Sequence, residues 1–487
     1  MSQVASIPTA PVAPERRHHN VTFALLAIVG ISYALLQSLV APALPDIQHA
    51  LHTSVSSVSW VLTAYLLSAS IATPLIGRLG DMYGKQLLLV WVLVLLGFAT
   101  VLCALATSMA VMIVGRVMQG AAAGIFPLAF GIIRDEFPRE RVPGAIGLMS
   151  ALMGIGGGFG VVLAGPIADN LSYHWLFWLP LVPILIALVL IHRFVPESPI
   201  RVPGKINWTA AGLMSSGLAA VLLAVTKATH WGWLSGRTLG LLAVGVVLLA
   251  LWVRHEIRSA VPLVDMRMMR IRGVWTTNTV AFMIGFGMYA SFILIPEFVE
   301  TSPHHGYGFG SSVTGAGLFL APTTLMMLLA GSQAGRLERR FGSKPPLIAG
   351  AFLSAIAYAI LATAHSQHWE VYVAAAFMGA GIGLAFAAMV NLIIENVGPA
   401  ETGVATGVNT LTRSVGGAFG GSIVASILAG TVAAGSPSEH GFTLAFGACA
   451  IALIVGLGVA FLIPQRRPEA AFLPHEVGDL PVLDRVH

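Results

Sequence analysis

Gly77-Arg78-Leu79-Gly80-Asp81-Met82-Tyr83-Gly84-Lys85 is a short charged hinge set between two long apolar runs. It returns 258 residues later as Gly335-Arg336-Leu337-Glu338-Arg339-Arg340-Phe341-Gly342. A repeated hinge in so apolar a chain implies two homologous halves in a bilayer. Its glycines permit a tight turn and close helix approach. Asp81 suits the positive end of a neighbouring helix, or an arginine, and would there lock one conformation. The candidate latch is Gly77, Asp81, Gly84 and Lys85, with Arg336 and Gly342 at the second copy. That copy has Arg339 where the first has its acid, so a working latch is expected in the first half only.

Hydrophobic residues make up 56% of the 487 and charged residues 10%, where a soluble domain carries about a quarter charged. Mean hydropathy is +0.84. Apolar runs fall at 22–42, 58–77, 86–106, 110–132, 143–166, 174–194, 206–226, 237–255, 274–297, 313–334, 346–364, 371–394, 403–428 and 442–463. A bilayer needs about 20 residues per helix. The runs are continuous rather than alternating, which predicts fourteen helices and not a barrel. The first run continues to about Val40, too long for the apolar part of a cleaved signal, so it reads as a retained span.

The basic residues orient the chain. Of 26 lysines and arginines, 22 fall on the side of the amino terminus, only Lys227 and Arg237 fall in opposite loops, and Arg116 and Arg413 lie within runs. The positive-inside rule then predicts both termini in the cytoplasm of a cell-membrane protein. Gly147, Gly156 and Gly160 recur at Gly407, Gly416 and Gly420, each 260 residues on. The expected organisation is a tail (1–21), a six-helix bundle (22–195), two inserted helices (196–273), a second six-helix bundle (274–463) and a tail (464–487). Such repeats place a substrate site between the halves, near the midplane.

These stretches resemble the major facilitator superfamily, and within it the fourteen-span drug:proton antiporter branch (EmrB/QacA type), over nearly the whole chain. Gly77-x-Leu79-x-Asp81-x-x-Gly84-Lys85 is similar to the superfamily's loop between spans two and three. Arg116-Val-Met-Gln119-Gly120 resembles the branch's span-four arginine motif. Gly147, Gly156, Gly160 and Gly165 resemble its antiporter motif in span five, with Val161 in place of the family's proline and Ala164 in place of a glycine. Tyr173-His174-Trp175-Leu176-Phe177 is similar to the branch's aromatic start of span six. The resemblance implies the major facilitator fold and efflux of hydrophobic or amphiphilic small molecules by proton antiport, with no cofactor.

One departure touches the chemistry. Leu35-Leu36-Gln37-Ser38 stands where the branch carries an embedded aspartate in span one, and Leu36 takes its place. None of the 21 acids falls deep in an apolar run of either half. The substitutes for a proton-binding group are Glu297 and then Asp46, with Arg116, Gln119 and Arg413 as cavity residues. The alternative is a lipid or metabolite exporter, or a facilitator, with weak or no proton coupling. Since Arg116 and Arg413 are the formal charges deep in the runs, a cavity facing both would favour neutral or anionic amphiphiles. A methionine and aromatic stripe that includes Met149, Met327, Tyr289 and Phe386 would wall it.

Other classes lack their residues. His18-His19 and His304-His305 are loop pairs without further ligands, so no metal site is expected. No phosphate-loop lysine follows a glycine-rich stretch, which argues against a nucleotide. The basic balance reflects cytoplasmic loops and not a nucleic-acid surface. Cys103 and Cys449 lie in apolar runs and suggest neither a disulfide nor a metal. The oligomeric state leaves no mark in the sequence.

Overall fold

The computed structural model describes residues 19–40, 43–58, 60–138, 140–198, 206–260, 262–398, 401–433 and 436–464. Among them fourteen helices are long and apolar enough to span a membrane. In the first half these are α1 (His19–Leu39), α2 (Trp60–Tyr83), α3 (Lys85–Ala104), α4, α5 (Val142–Asn170) and α6 (Trp175–Phe194). Helix α4 consists of Met109–Ala121 and Ile125–Glu136 joined by a 3-10 turn, Ala122–Gly124. Then come α7 (Trp208–Trp231) and α8 (Gly236–Arg258). The second half has α9 (Arg272–Glu300), α10 (Val313–Phe341), α11 (Lys344–Thr363), α12 (His368–Asn396), α13 (Thr402–Gly430) and α14 (Glu439–Phe461). A two-residue antiparallel ladder, Val432–Ala433 with Ser436–Pro437, is the β structure among the described residues.

Local chemistry explains where helices begin. Ser108, Asn207, Ser235, Ser312 and Ser438 each precede a helix and accept from a backbone N–H of its first turn, satisfying donors that have no partner inside the helix. Several helices outrun their apolar runs: α10 continues past residue 334 to Phe341, and α12 to Asn396. A helix satisfies its own backbone whatever its side chains are, so polarity alone does not end it.

The two halves repeat each other's packing. Helix α1 packs on α5 and α6, α2 on α4 and α3 on α6; correspondingly α9 packs on α13 and α14, α10 on α12 and α11 on α14. They meet at two seams, α2 against α13 and α5 against α10, which the repeat relates to each other. A Cβ added at Gly147 would lie 3.0 Å from the Gly331 carbonyl oxygen of α10. At its counterpart, Gly407, a Cβ would lie 3.1 Å from Pro74 Cα of α2. Gly156 and Gly160 instead face α1, and Gly416 and Gly420 face α9 in the same way. The glycines thus let backbones touch, within halves and between them.

The inserted pair flanks one seam. Helix α7 packs on both α13 and α2, with α8 on its outer side; Trp233 Nε1 donates to Ser426 Oγ at 2.8 Å. Large apolar side chains are left outward, among them Trp91 (63% exposed), Phe98 (61%) and Val189 (63%). Such a surface calls for lipid rather than water.

Candidate functional site

Both seams bring backbone against backbone at the end of the bundle where α2, α4, α10 and α12 finish and α5 and α13 start. Most basic side chains lie there, and it is termed the basic end. A Cβ on Gly77 would collide with the Gly403 carbonyl oxygen, and one on Gly403 would lie 2.6 Å from that of Gly77. One turn further along α2, Asp81 is 1% exposed. Its Oδ1 accepts from Gly403 N at 3.3 Å and its Oδ2 from Val404 N at 3.2 Å. These are donors of the first turn of α13, so the carboxylate sits at the positive end of that helix. Lys85 Nζ lies 3.5 Å from Asp81 and 2.7 Å from Asp135 Oδ2. From α4, Arg134 donates to Val397 O at 3.1 Å and also bonds Thr402 Oγ1. The first hinge therefore ties α2, α3 and α4 to the second half.

Gly84 serves a separate contact. It has φ 116°, and a Cβ there would lie 2.6 Å from the Glu197 carboxyl carbon. Glu197, just beyond α6, accepts from Gln86 N at 3.1 Å and Leu87 N at 2.9 Å, and so caps α3. Ser198 bonds Asp135. Glu197, Asp135 and Arg134 were missed in the sequence; their signal is an acid or acid–base pair just where an apolar run meets the basic end.

The second hinge does carry a buried acid, contrary to expectation. Glu338, one position earlier than the repeat predicts, is 4% exposed. It lies three residues after Gly335, on the face where Gly335 meets the Gly144 backbone. Its Oε2 accepts from Asn391 Nδ2 at 2.5 Å, while Oε1 is buried without a hydrogen-bond partner among the described residues. The repeat explains the orphan. Gly403, whose N–H serves Asp81, corresponds to Pro143, which has no N–H to give. Pro143→Ala supplies that donor, worth about 1 kcal/mol if used. The variant is expected to slow thiol labelling of Ala151→Cys in the α5–α10 seam by roughly fivefold, measured in membranes against the same cysteine with Pro143 intact. Arg336, placed with the latch from sequence, is instead exposed and bonds Gln333 on its own helix at 2.6 Å. Gly342 ends α10 with φ 81°.

In the first half Arg116 is fully buried. Its Nε donates to Val61 O at 3.0 Å and its Nη1 to Gln119 Oε1 at 2.8 Å; Gln119 Nε2 donates to Thr100 Oγ1 at 3.1 Å. The guanidinium lies 4.4 Å above the Tyr65 ring, and Tyr65 donates to Tyr33 at 2.5 Å. Arg413 is held differently, 4.2 Å above the Phe386 ring. Glu297 and Asp46 are both exposed, at the opposite end from the hinges. Leu36 is buried and apolar in α1. In α5, Gly147 and Gly165 face α10, while Gly156 and Gly160 face α1; Ser38 Oγ donates to Gly156 O at 3.2 Å. Met149 and Met327 fill notches over Gly30 and Gly154, which makes them packing residues. The side chains of Val161 and Asp169 and the tails before His19 and after Pro464 lie outside the described residues. Among the described residues no cluster of three or more His, Cys, Asp or Glu has metal-binding geometry.

The model of the Major Facilitator Superfamily matches residues 26–421 and, in an overlapping second match, 278–484. The chain is 28% identical over 393 residues to the multidrug transporter protein MdtP of Bacillus subtilis, spanning 78% of this chain and 71% of that protein. It is 30% identical over 394 residues to the tetracenomycin C resistance and export protein of Streptomyces glaucescens, spanning 79% and 71%. In fold it resembles the solved proton:xylose symporter XylE bound to 6-bromo-6-deoxy-D-glucose. The TM-score is 0.65 at 16% identity, over 92% of this chain and 96% of that one.

Proposed function

We propose, since the chain belongs to the major facilitator superfamily, that it exports hydrophobic and amphiphilic small molecules by proton antiport. It is a multi-pass membrane transporter and not an enzyme. Export is suggested by relatives that are named for multidrug transport and for antibiotic resistance and export. The working halves are 22–195 and 274–463, with 196–273 inserted between them, and the basic end faces the cytoplasm.

One observation carries the mechanism. Asp81 joins the two halves through two backbone N–H groups at a seam where the helices touch glycine to glycine. In the cycle this junction closes the cytoplasmic end while the far end admits solvent. It then breaks as the halves rock and the substrate enters from the cytoplasm. Hydrogen bonds to a charged group contribute about 1.5–3 kcal/mol each, enough to bias a two-state equilibrium and small enough to be overcome in turnover.

The proton-binding group is assigned to Glu297 first and Asp46 second. Leu36, buried in α1 where the resembling branch has an acid, favours one rival reading, a facilitator or a lipid or metabolite exporter with weak or no proton coupling. Purified protein in liposomes with an imposed pH gradient separates the two. The readouts are uptake of a lipophilic dye and internal pH, for wild type and Glu297→Gln. Antiport predicts dye movement that requires and dissipates the gradient, and its loss in the variant. Movement indifferent to the gradient refutes coupling. Equal driven transport in both proteins refutes Glu297 alone.

A further inference from the structure

The two intramembrane arginines border one polar hub between the halves. Arg413 is 6% exposed. Among the described residues its guanidinium has neither a carboxylate nor a hydrogen-bond acceptor; its contact is the Phe386 ring. The ring of Tyr289 of α9 packs on Gly417, one turn along α13 from Arg413. The Tyr289 hydroxyl accepts from Gln37 Nε2 of α1 at 3.2 Å, one turn from Tyr33, which accepts from Tyr65 of α2 beneath the Arg116 guanidinium. Across the hub Arg116 has its Nη2 buried with no partner. Six helices drawn from both halves thus converge on two cations and three tyrosines, and among the described residues neither arginine is paired with a carboxylate.

A buried guanidinium without a counter-charge is costly. An arginine stacked on an aromatic face keeps the edge of its fork free for two parallel bonds to a planar anion. Tyr289, already accepting from Gln37, keeps its O–H to donate. We infer that the hub is the head-group site for an anionic amphiphile. Its carboxylate, sulfonate or phosphate meets Arg413 and the Tyr289 hydroxyl, and its apolar body lies against Phe386. The positive field of Arg116 excludes cations of the same shape. This rests on the export reading and specifies its substrate class.

The test is equilibrium binding of 1-pyrenebutyrate to the full chain in phosphatidylcholine nanodiscs, compared with its methyl ester and a pyrenyl trimethylammonium of matched length. The acid is expected to bind roughly tenfold or more tightly than the ammonium, the scale of one charged hydrogen bond. Arg413→Gln removes that preference, with an unchanged thermal unfolding profile reporting a folded chain; Arg413→Lys keeps most of it. Equal binding of acid and ammonium to wild type overturns the inference without any variant, as does a preference that survives Arg413→Gln. Repeating the titration with phosphatidylglycerol in the disc distinguishes the sources. Displacement assigns the anion to a lipid, and undiminished binding assigns it to a soluble compound. No gradient is involved, so failed driven transport with intact acid binding faults the antiport reading alone.

Discussion

Gly77→Val is expected to abolish transport while the chain still inserts in the membrane and runs as a folded species in detergent. The added Cβ falls on the Gly403 carbonyl oxygen, a backbone atom that no rotamer change can move. Closing the basic end would require α2 and α13 to separate, and Gly407 of α13 would lose its contact with Pro74 of α2. Separation also lengthens both hydrogen bonds to Asp81. Overpacking costs typically about 1–3 kcal/mol when neighbours can relax; here a helix must move. Dye accumulation in cells with matched protein levels measures the effect. Gly77→Ala is expected to be milder, and Gly335→Val should repeat the defect at the other seam, where its Cβ meets Gly144.

The second large effect is at Asp81. Asp81→Asn keeps the shape and one acceptor but removes the charge that faces the first turn of α13 and Lys85. Breaking a buried pair typically costs about 3–5 kcal/mol. Asp135 still neutralises Lys85 at 2.7 Å, so a loss of about 2 kcal/mol is the better figure for bonds to one charged group. That shifts the conformational equilibrium about 30-fold away from the closed basic end. Thiol labelling of Ala151→Cys in the sister seam should speed up, because both seams open together, and transport should fall in step. Asp135→Asn leaves both bonds between Asp81 and α13 in place. It is expected to change transport much less, which separates the junction between halves from the charge pair beside it.

The fourteen spans and the two repeated halves were legible because bilayer crossing demands long apolar runs, and because close helix contact demands glycine at repeated positions; which helices form the seams was not. Gly147 and Gly407 stood out as a repeated small-residue position without showing which helix each would meet, and Asp81 left a helix terminus and an arginine open as partners. Glu338 was hidden because an apolar run ends before a helix does, so an acid beyond residue 334 reads as a loop charge although it lies buried on the seam face. Its missing donor is visible only when Pro143 is set against Gly403. Glu197 and Asp135 were hidden for another reason: Glu197 caps a helix begun more than a hundred residues earlier, and no local pattern records such a partner. The hub was half legible. Arg116 and Arg413 stood out as charges in apolar runs, and Tyr289 within the aromatic stripe, whereas Tyr33 and Tyr65 are neutral, scattered residues that only the fold brings to them.

The central claim is that the basic end must open for transport to occur, and a reversible clamp tests it most directly. Arg134 and Thr402 are bonded across the halves, so Arg134→Cys with Thr402→Cys places two thiols over the junction, while the native Cys103 and Cys449 are buried. A short bis(methanethiosulfonate), which forms a disulfide with each thiol and expels methanesulfinate, is applied to the double variant in liposomes, and dye flux is followed before linking, after linking and after reduction. The account predicts that linking stops flux and that reduction restores it to the unlinked rate. Flux that continues undiminished through the link would contradict it.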